Sequence, residues 1–178
     1  VGVDIAFEGD VPLYVVDPDI IPLPDGRYRM TYFGVPANQA CADHLDPAAS
    51  ALPHSAYTAI SDDLVNWTQE GIAWTPPDRG ADPAVWCADA SRCWMLMGGG
   101  AVSTDGGRTY SPVEMNLPDP PLTAPDVFAV PGGWRMIYVS GTQLSTAVSE
   151  DGRTWTADGI LPFSGADPTV LELDGSWW

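Results

Sequence analysis

The chain contains no lysine. Its seven basic side chains are all arginines, set against 24 aspartates and glutamates for a formal net charge of −17. Such a balance repels phosphate backbones and anionic bilayers, so nucleic acid is not an expected partner and the ligands left open are neutral or cationic. Histidine occurs twice and cysteine three times, and no histidine stands at zinc-ligand spacing beside the cysteines. No run approaches the roughly 20 apolar residues a spanning helix needs. The opening VGVDIAFEGD has neither a basic start nor a long apolar stretch, so neither a membrane anchor nor a leader is read from the sequence. Helical periodicity is almost missing.

What is present is a repeat. Four segments begin alike: DPDIIPLPDGRYRMTYFG from Asp17, ADPAVWCADASRCWMLMGG from Ala81, APDVFAVPGGWRMIYVSG from Ala124 and ADPTVLELDGSWW from Ala166. Each has an aspartate beside a proline, an apolar run, a glycine-bearing or polar turn and a second apolar-aromatic run. Branched and aromatic residues suit a pleated surface, and Asp25-Gly26, Gly132-Gly133 and Asp174-Gly175 suit hairpin turns, so each segment predicts a β-hairpin.

A second strand pair follows each complete hairpin: SAYTAISDDLVNWTQEGIAW, AVSTDGGRTYSPVEMNL and LSTAVSEDGRTWTADGILPF. A four-stranded antiparallel unit recurring every 40 to 65 residues or so predicts an all-β fold, a β-propeller. The blades read as 12–74, 75–117 and 118–163, with 1–11 as the end of a preceding blade and 164–178 as the start of a further one. About three full blades with partial ones at each end fit two arrangements. One is a slice of a five-bladed ring; the other is a small four-bladed ring closed by the N-terminal strand.

Cys87 and Cys93 flank a short polar connection in VWCADASRCWML, where paired strands would bring their Cβ atoms into bridging range. A bridge implies an oxidising compartment, extracellular or periplasmic, whereas two packed thiols imply none. Cys41 is left over.

The turns STDGGRTY and SEDGRTW resemble the Asp box of sialidase-like repeats, with SDDLVNW a weaker variant. The openings DPDIIPLPDGRYRMTY and ADPAVW, with SAYTAISDDLVNWTQEG between them, resemble the five-bladed propellers of glycoside hydrolase family 43 and its levansucrase and invertase relatives. In an Asp box the aspartate ties backbone N–H groups and the aromatic packs between sheets, which makes the turn a structural device. Sialidase chemistry itself is not implied, since it grips its substrate with three arginines that this chain does not offer.

The chemistry is expected at the opposite end of each blade. Innermost strands of a propeller converge at one mouth of the channel, which brings together Asp17 or Asp19, Asp82, Asp126 and Asp167. Convergent carboxylates suit glycoside hydrolysis, and also a cation such as calcium. The family resemblance implies Asp17 as general base and Asp82 as the carboxylate tuning the acid. The family's acid glutamate in Glu-Gly-Pro is replaced here by Thr123-Ala124-Pro125, and a threonine supplies no proton at neutral pH. Asp126, or less directly Glu114, is the candidate for that third role. Tyr14, Trp74 and Trp86 are aromatics that can stack on sugar rings. His44 and His54 lie in GVPANQACADHLDPAASALPH, a long connection on the same mouth that can serve as a substrate-binding lid or supply a metal ligand. The expected ligand is a carbohydrate. The two readings carried forward are a glycosidase-like propeller and a noncatalytic carbohydrate-binding or scaffold propeller.

Overall fold

The computed structural model describes residues 6–8, 14–35, 54–77, 80–118, 122–170, 172–174 and 176–177. Among these there is no helix. The first sheet holds β1 (Ala6–Glu8), β2 (Tyr14–Pro22), β3 (Tyr28–Val35), β4 (Ser55–Ser61) and β5 (Asn66–Trp74), in the order β1-β5-β4-β3-β2. The second is β6 (Ala84–Cys87), β7 (Cys93–Leu96), β8 (Gly100–Ser103) and β9 (Ser111–Pro112), in chain order. The third is β10 (Thr123–Val130), β11 (Gly133–Ser140), β12 (Gln143–Ser149) and β13 (Thr156–Ser164), also in chain order. A two-stranded sheet pairs β14 (Glu172–Leu173) with β15 (Ser176–Trp177). Each of the three larger sheets thus contains an antiparallel meander of four strands, the blade expected from the repeat, and the first adds β1 at its edge. The chain divides into two compact units at Val113 and Glu114.

Turn chemistry sets the hairpins. Between β2 and β3, Asp25 Oδ1 accepts the Arg27 N–H at 3.1 Å and Gly26 takes a φ of 88°. Between β10 and β11 the turn is Pro131-Gly132, and Gly133 is already the first residue of β11, paired with Val130. Alternation then sorts the side chains. On the first sheet Met30, Tyr32, Tyr57, Ala59 and Trp67 form one cluster. Its other face sends Ala56, Ala73, Trp74 and Phe33 against Val85, Met95, Met97 and Tyr110 of the second sheet. The middle strand β4 is buried along nearly all its length because both faces are covered.

The acidic turns between third and fourth strands close on themselves. Asp63 Oδ1 accepts the N–H groups of Val65 and Asn66, Asp105 Oδ1 those of Arg108 and Thr109, and Asp151 Oδ1 those of Arg153 and Thr154. The aromatic that ends each turn, Trp67, Tyr110 or Trp155, is at most 8% exposed. The turns also lean on a preceding strand. Tyr110 donates its N–H to Ala73 O at 3.0 Å, and Trp155 donates to Asn116 O at 2.8 Å beside a parallel bridge between Asn116 and Thr154. The strand β1 likewise runs parallel to β5, pairing Ala6 with Asn66. It therefore joins the first sheet at its outer edge, alongside a turn, rather than extending the antiparallel meander.

Candidate functional site

The strand-one entrances carry a backbone feature that the sequence does not announce. The residue before the proline has a left-handed φ in all four repeats: 51° at Asp17, 52° at Asp82, 45° at Ala124 and 48° at Asp167. Non-glycine residues pay for this conformation, which persists only where surrounding structure enforces it. In β2 the pairing register shifts between Val16 and Asp19, and in β10 between Thr123 and Asp126. The X-Pro pair is therefore a bulge in the inner strand, and a bulge re-aims the side chain it carries.

The proline register divides the expected aspartates into two kinds. Asp17, Asp82 and Asp167 precede the proline; Asp17 and Asp167 are exposed and Asp82 is half-buried. Asp19 and Asp126 follow it, and both are structural ties. Asp19 Oδ2 accepts the Val85 N–H at 2.6 Å, and Asp126 Oδ2 accepts the Val170 N–H at 2.6 Å. Val85 and Val170 stand at the same place after their own Asp-Pro, so this is one device used twice, a carboxylate of β2 or β10 accepting from the segment that follows the next Asp-Pro. Burial pushes the Asp126 carboxyl above its ordinary value, against the hydrogen bond from Val170 that favours the charged form. The position equivalent to Asp17 and Asp82 in the third repeat is Ala124, not Asp126.

Asp17, Asp19 and Asp82 are brought to adjoining strands of the first unit, since the Asp19 bond joins β2 to β6. Asp126 and Asp167 belong to the second unit. His54 reaches the same end of the first unit. Its Nδ1 lies 2.7 Å from Gly80 O, two residues before Asp82, and its ring packs 4.7 Å from Phe33. A carbonyl can only accept, so Nδ1 is the donor in this contact. His54, expected on a connection that serves as a substrate-binding lid or supplies a metal ligand, is instead a tie to the segment leading into Asp82.

The other expected residues fall elsewhere. Trp86 is 3% exposed and stacked on Trp94 at 6.4 Å, so its ring serves packing and not a sugar face. Trp74 is buried in the core between the first two sheets. Tyr14 opens β2, its side chain outside what is described, and His44 with residues 36–53 lies outside the described residues altogether. Glu114 is exposed, and its backbone carbonyl accepts the Arg153 guanidinium at 3.0 Å. Thr123 Oγ1 donates to Val139 O at 3.4 Å. Among the described residues no group of three or more His, Cys, Asp or Glu side chains is placed to hold a metal ion, and no helix is long and apolar enough to cross a membrane.

Cys87 and Cys93 are bridged, directly opposite each other across β6 and β7.

No family model matches the chain, and no curated protein does. Solved structures do. A fructofuranosidase from Schwanniomyces occidentalis, in complex with fructose, superposes with a TM-score of 0.69 at 18% identity, over 92% of this chain and 39% of that one. A β-fructofuranosidase from Bombyx mori gives 0.66 at 16% identity over 97% and 40%. An endo-1,5-α-L-arabinanase from Thermotoga petrophila gives 0.53 at 15% identity over 78% and 38%. The chain has the all-β blade architecture of these propeller glycosidases and spans about two fifths of their length.

Proposed function

We propose that the chain is part of a five-bladed propeller with Asp-box turns that hydrolyses a glycosidic bond at the strand-one entrances, through Asp17 and Asp82. The supporting observation is the strained pre-proline geometry of these two aspartates on adjoining inner strands, in a fold shared with fructofuranosidases and an arabinanase. Asp17, exposed and aimed by its bulge, is the general base or nucleophile. Asp82, half-buried close to the His54 tie, sets the field around Asp17 and the departing oxygen, and an activated leaving group such as an aryl oxide departs as the anion and takes its proton from water. A separation of roughly 5 Å between the two reacting carboxyls would give retention and a wider one inversion. The Cys87–Cys93 bridge supports an extracellular or periplasmic setting.

A second reading has its own observation. The third repeat offers Thr123 and Ala124 where the resemblance calls for an acid, and Asp126 is held by Val170. A noncatalytic carbohydrate-binding propeller needs no proton donor and tolerates this.

A screen of aryl glycosides against the chain, Asp17→Asn and Asp82→Asn separates the two. Hydrolysis falling by about 10²-fold or more in each variant, the scale of a lost acid-base group, supports the enzyme. Turnover untouched by both substitutions removes the assigned site, and glycan binding without turnover supports the second reading.

A further inference from the structure

His54 is pinned twice at the end of the first unit that carries Asp17 and Asp82. Its neighbour Ser55 shares a hydroxyl hydrogen bond with Thr75 at 2.8 Å, and its own Nδ1 donates to Gly80 O at 2.7 Å. The acceptor is itself fixed by close packing. A Cβ at position 80 would fall 2.6 Å from the Met97 carbonyl carbon and from Gly98 N, so this stretch lies backbone on backbone against the turn that follows β7. The imidazole also packs on Phe33 at 4.7 Å, with the rings inclined at 52°. Phe33 pairs with Val16, the residue before Asp17, and Gly80 stands two residues before Asp82. The ring of His54 therefore reaches from the strand opposite the Asp17 bulge to the segment entering Asp82. The Asp19 bond to Val85 holds β2 beside β6 at the same end.

A proton donor is what the proposed site wants. Asp17 and Asp82 are assigned to attack and field, and the third repeat has Thr123 and Ala124 where the resemblance calls for an acid. An aryl oxide leaves without help, but a sugar alkoxide is too basic to do so. Histidine changes charge between pH 5 and 8 and is the commonest side chain in acid-base catalysis. Its two nitrogens have separate duties here. Both donate in the imidazolium and one in the neutral ring, so the Nδ1 bond to Gly80 O persists whether or not Nε2 holds a proton. The tie keeps the ring in place through a full turnover.

We infer that His54 is the general acid of this site, which widens its substrates from activated glycosides to sugar–sugar linkages; the inference rests on the site proposed above. The Nε2 proton passes to the glycosidic oxygen as the bond from that oxygen to the anomeric carbon breaks, the bonding pair staying on oxygen. In single displacement Asp17 takes a proton from the water that adds to the anomeric carbon, and exchange with solvent resets both groups. In double displacement Asp17 forms the glycosyl ester, and the neutral imidazole takes the proton of the water that opens it. Either course consumes one water.

Leaving-group dependence tests this without any variant. Across aryl and methyl glycosides of the sugar that the screen selects, kcat/KM of the wild-type chain should vary weakly with leaving-group basicity, because a proton donor compensates for it. The ratio of 4-nitrophenyl to methyl glycoside kcat/KM should then rise about 10²-fold or more in His54→Asn, the scale of a lost acid-base group. Asparagine keeps an N–H for Gly80 O, and a thermal melt checks the fold. Asp17→Asn should lower both rates together. A steep dependence in the wild-type chain, or a ratio unmoved in His54→Asn, overturns the inference and leaves the Asp17 and Asp82 site standing. If the wild-type chain hydrolyses neither glycoside, or Asp17→Asn hydrolyses both as well as wild type, that site falls and this inference with it.

Discussion

Asp151 and Asp126 titrate in opposite senses, and each sense follows from what surrounds the carboxyl. Backbone N–H groups of Thr154 and Arg153 hold Asp151 down at about 2. Its contribution to stability is therefore present above the ordinary carboxylate value and lost as pH falls towards 2. Asp151→Ala should lower the thermal midpoint at neutral pH by about 3 °C, and the difference from wild type should close below pH 3. A melting series across that range checks it. Asp126 is pushed up by burial, so its contribution is present below the ordinary value and lost as pH rises through the folded one. Asp126→Asn retains an acceptor for the Val170 N–H and should flatten the pH dependence above 4 in the same series. The distinction between Asp126 and Asp17 is legible in the sequence through their positions relative to proline, Asp17-Pro18 against Pro125-Asp126. The left-handed φ before each proline was not legible, because backbone strain is imposed by the sheet and leaves no mark on composition.

At the scale of elements, hairpins and acidic turns were read from spacing because their causes are local: glycine where φ must be positive, aspartate where N–H groups need an acceptor. The β6–β7 pair shows the same economy. Its strands are four residues each, short for a stable hairpin, and the Cys87–Cys93 bridge closes the turn between them. Reduction, or Cys93→Ser, should cost about 2 kcal/mol for so short a loop, measured by urea unfolding with and without reductant. What spacing could not supply is the partner of a long-range tie. Nothing in the string joins Asp19 to Val85 or His54 to Gly80, since each depends on how one strand lies beside another.

For the whole molecule, charge is the dominant sequence-level property. A net charge of −17 without a lysine to offset it makes self-repulsion a destabilising load that salt relieves, the Debye length falling from about 30 Å at 0.01 M to about 8 Å at 0.15 M. Raising sodium chloride over that interval should raise the thermal midpoint, and no change would mean that the acidic residues are locally balanced. A meander also fixes how such a chain assembles. In the three full sheets the antiparallel partners are consecutive strands of the chain, so the sequence separation between paired residues stays small for an all-β protein. Loop closure is then cheap within a blade, and folding need not wait for distant segments to meet. Each blade can form as a cooperative unit as it is synthesised, and hydrogen-exchange protection should step from blade to blade rather than fade along the chain.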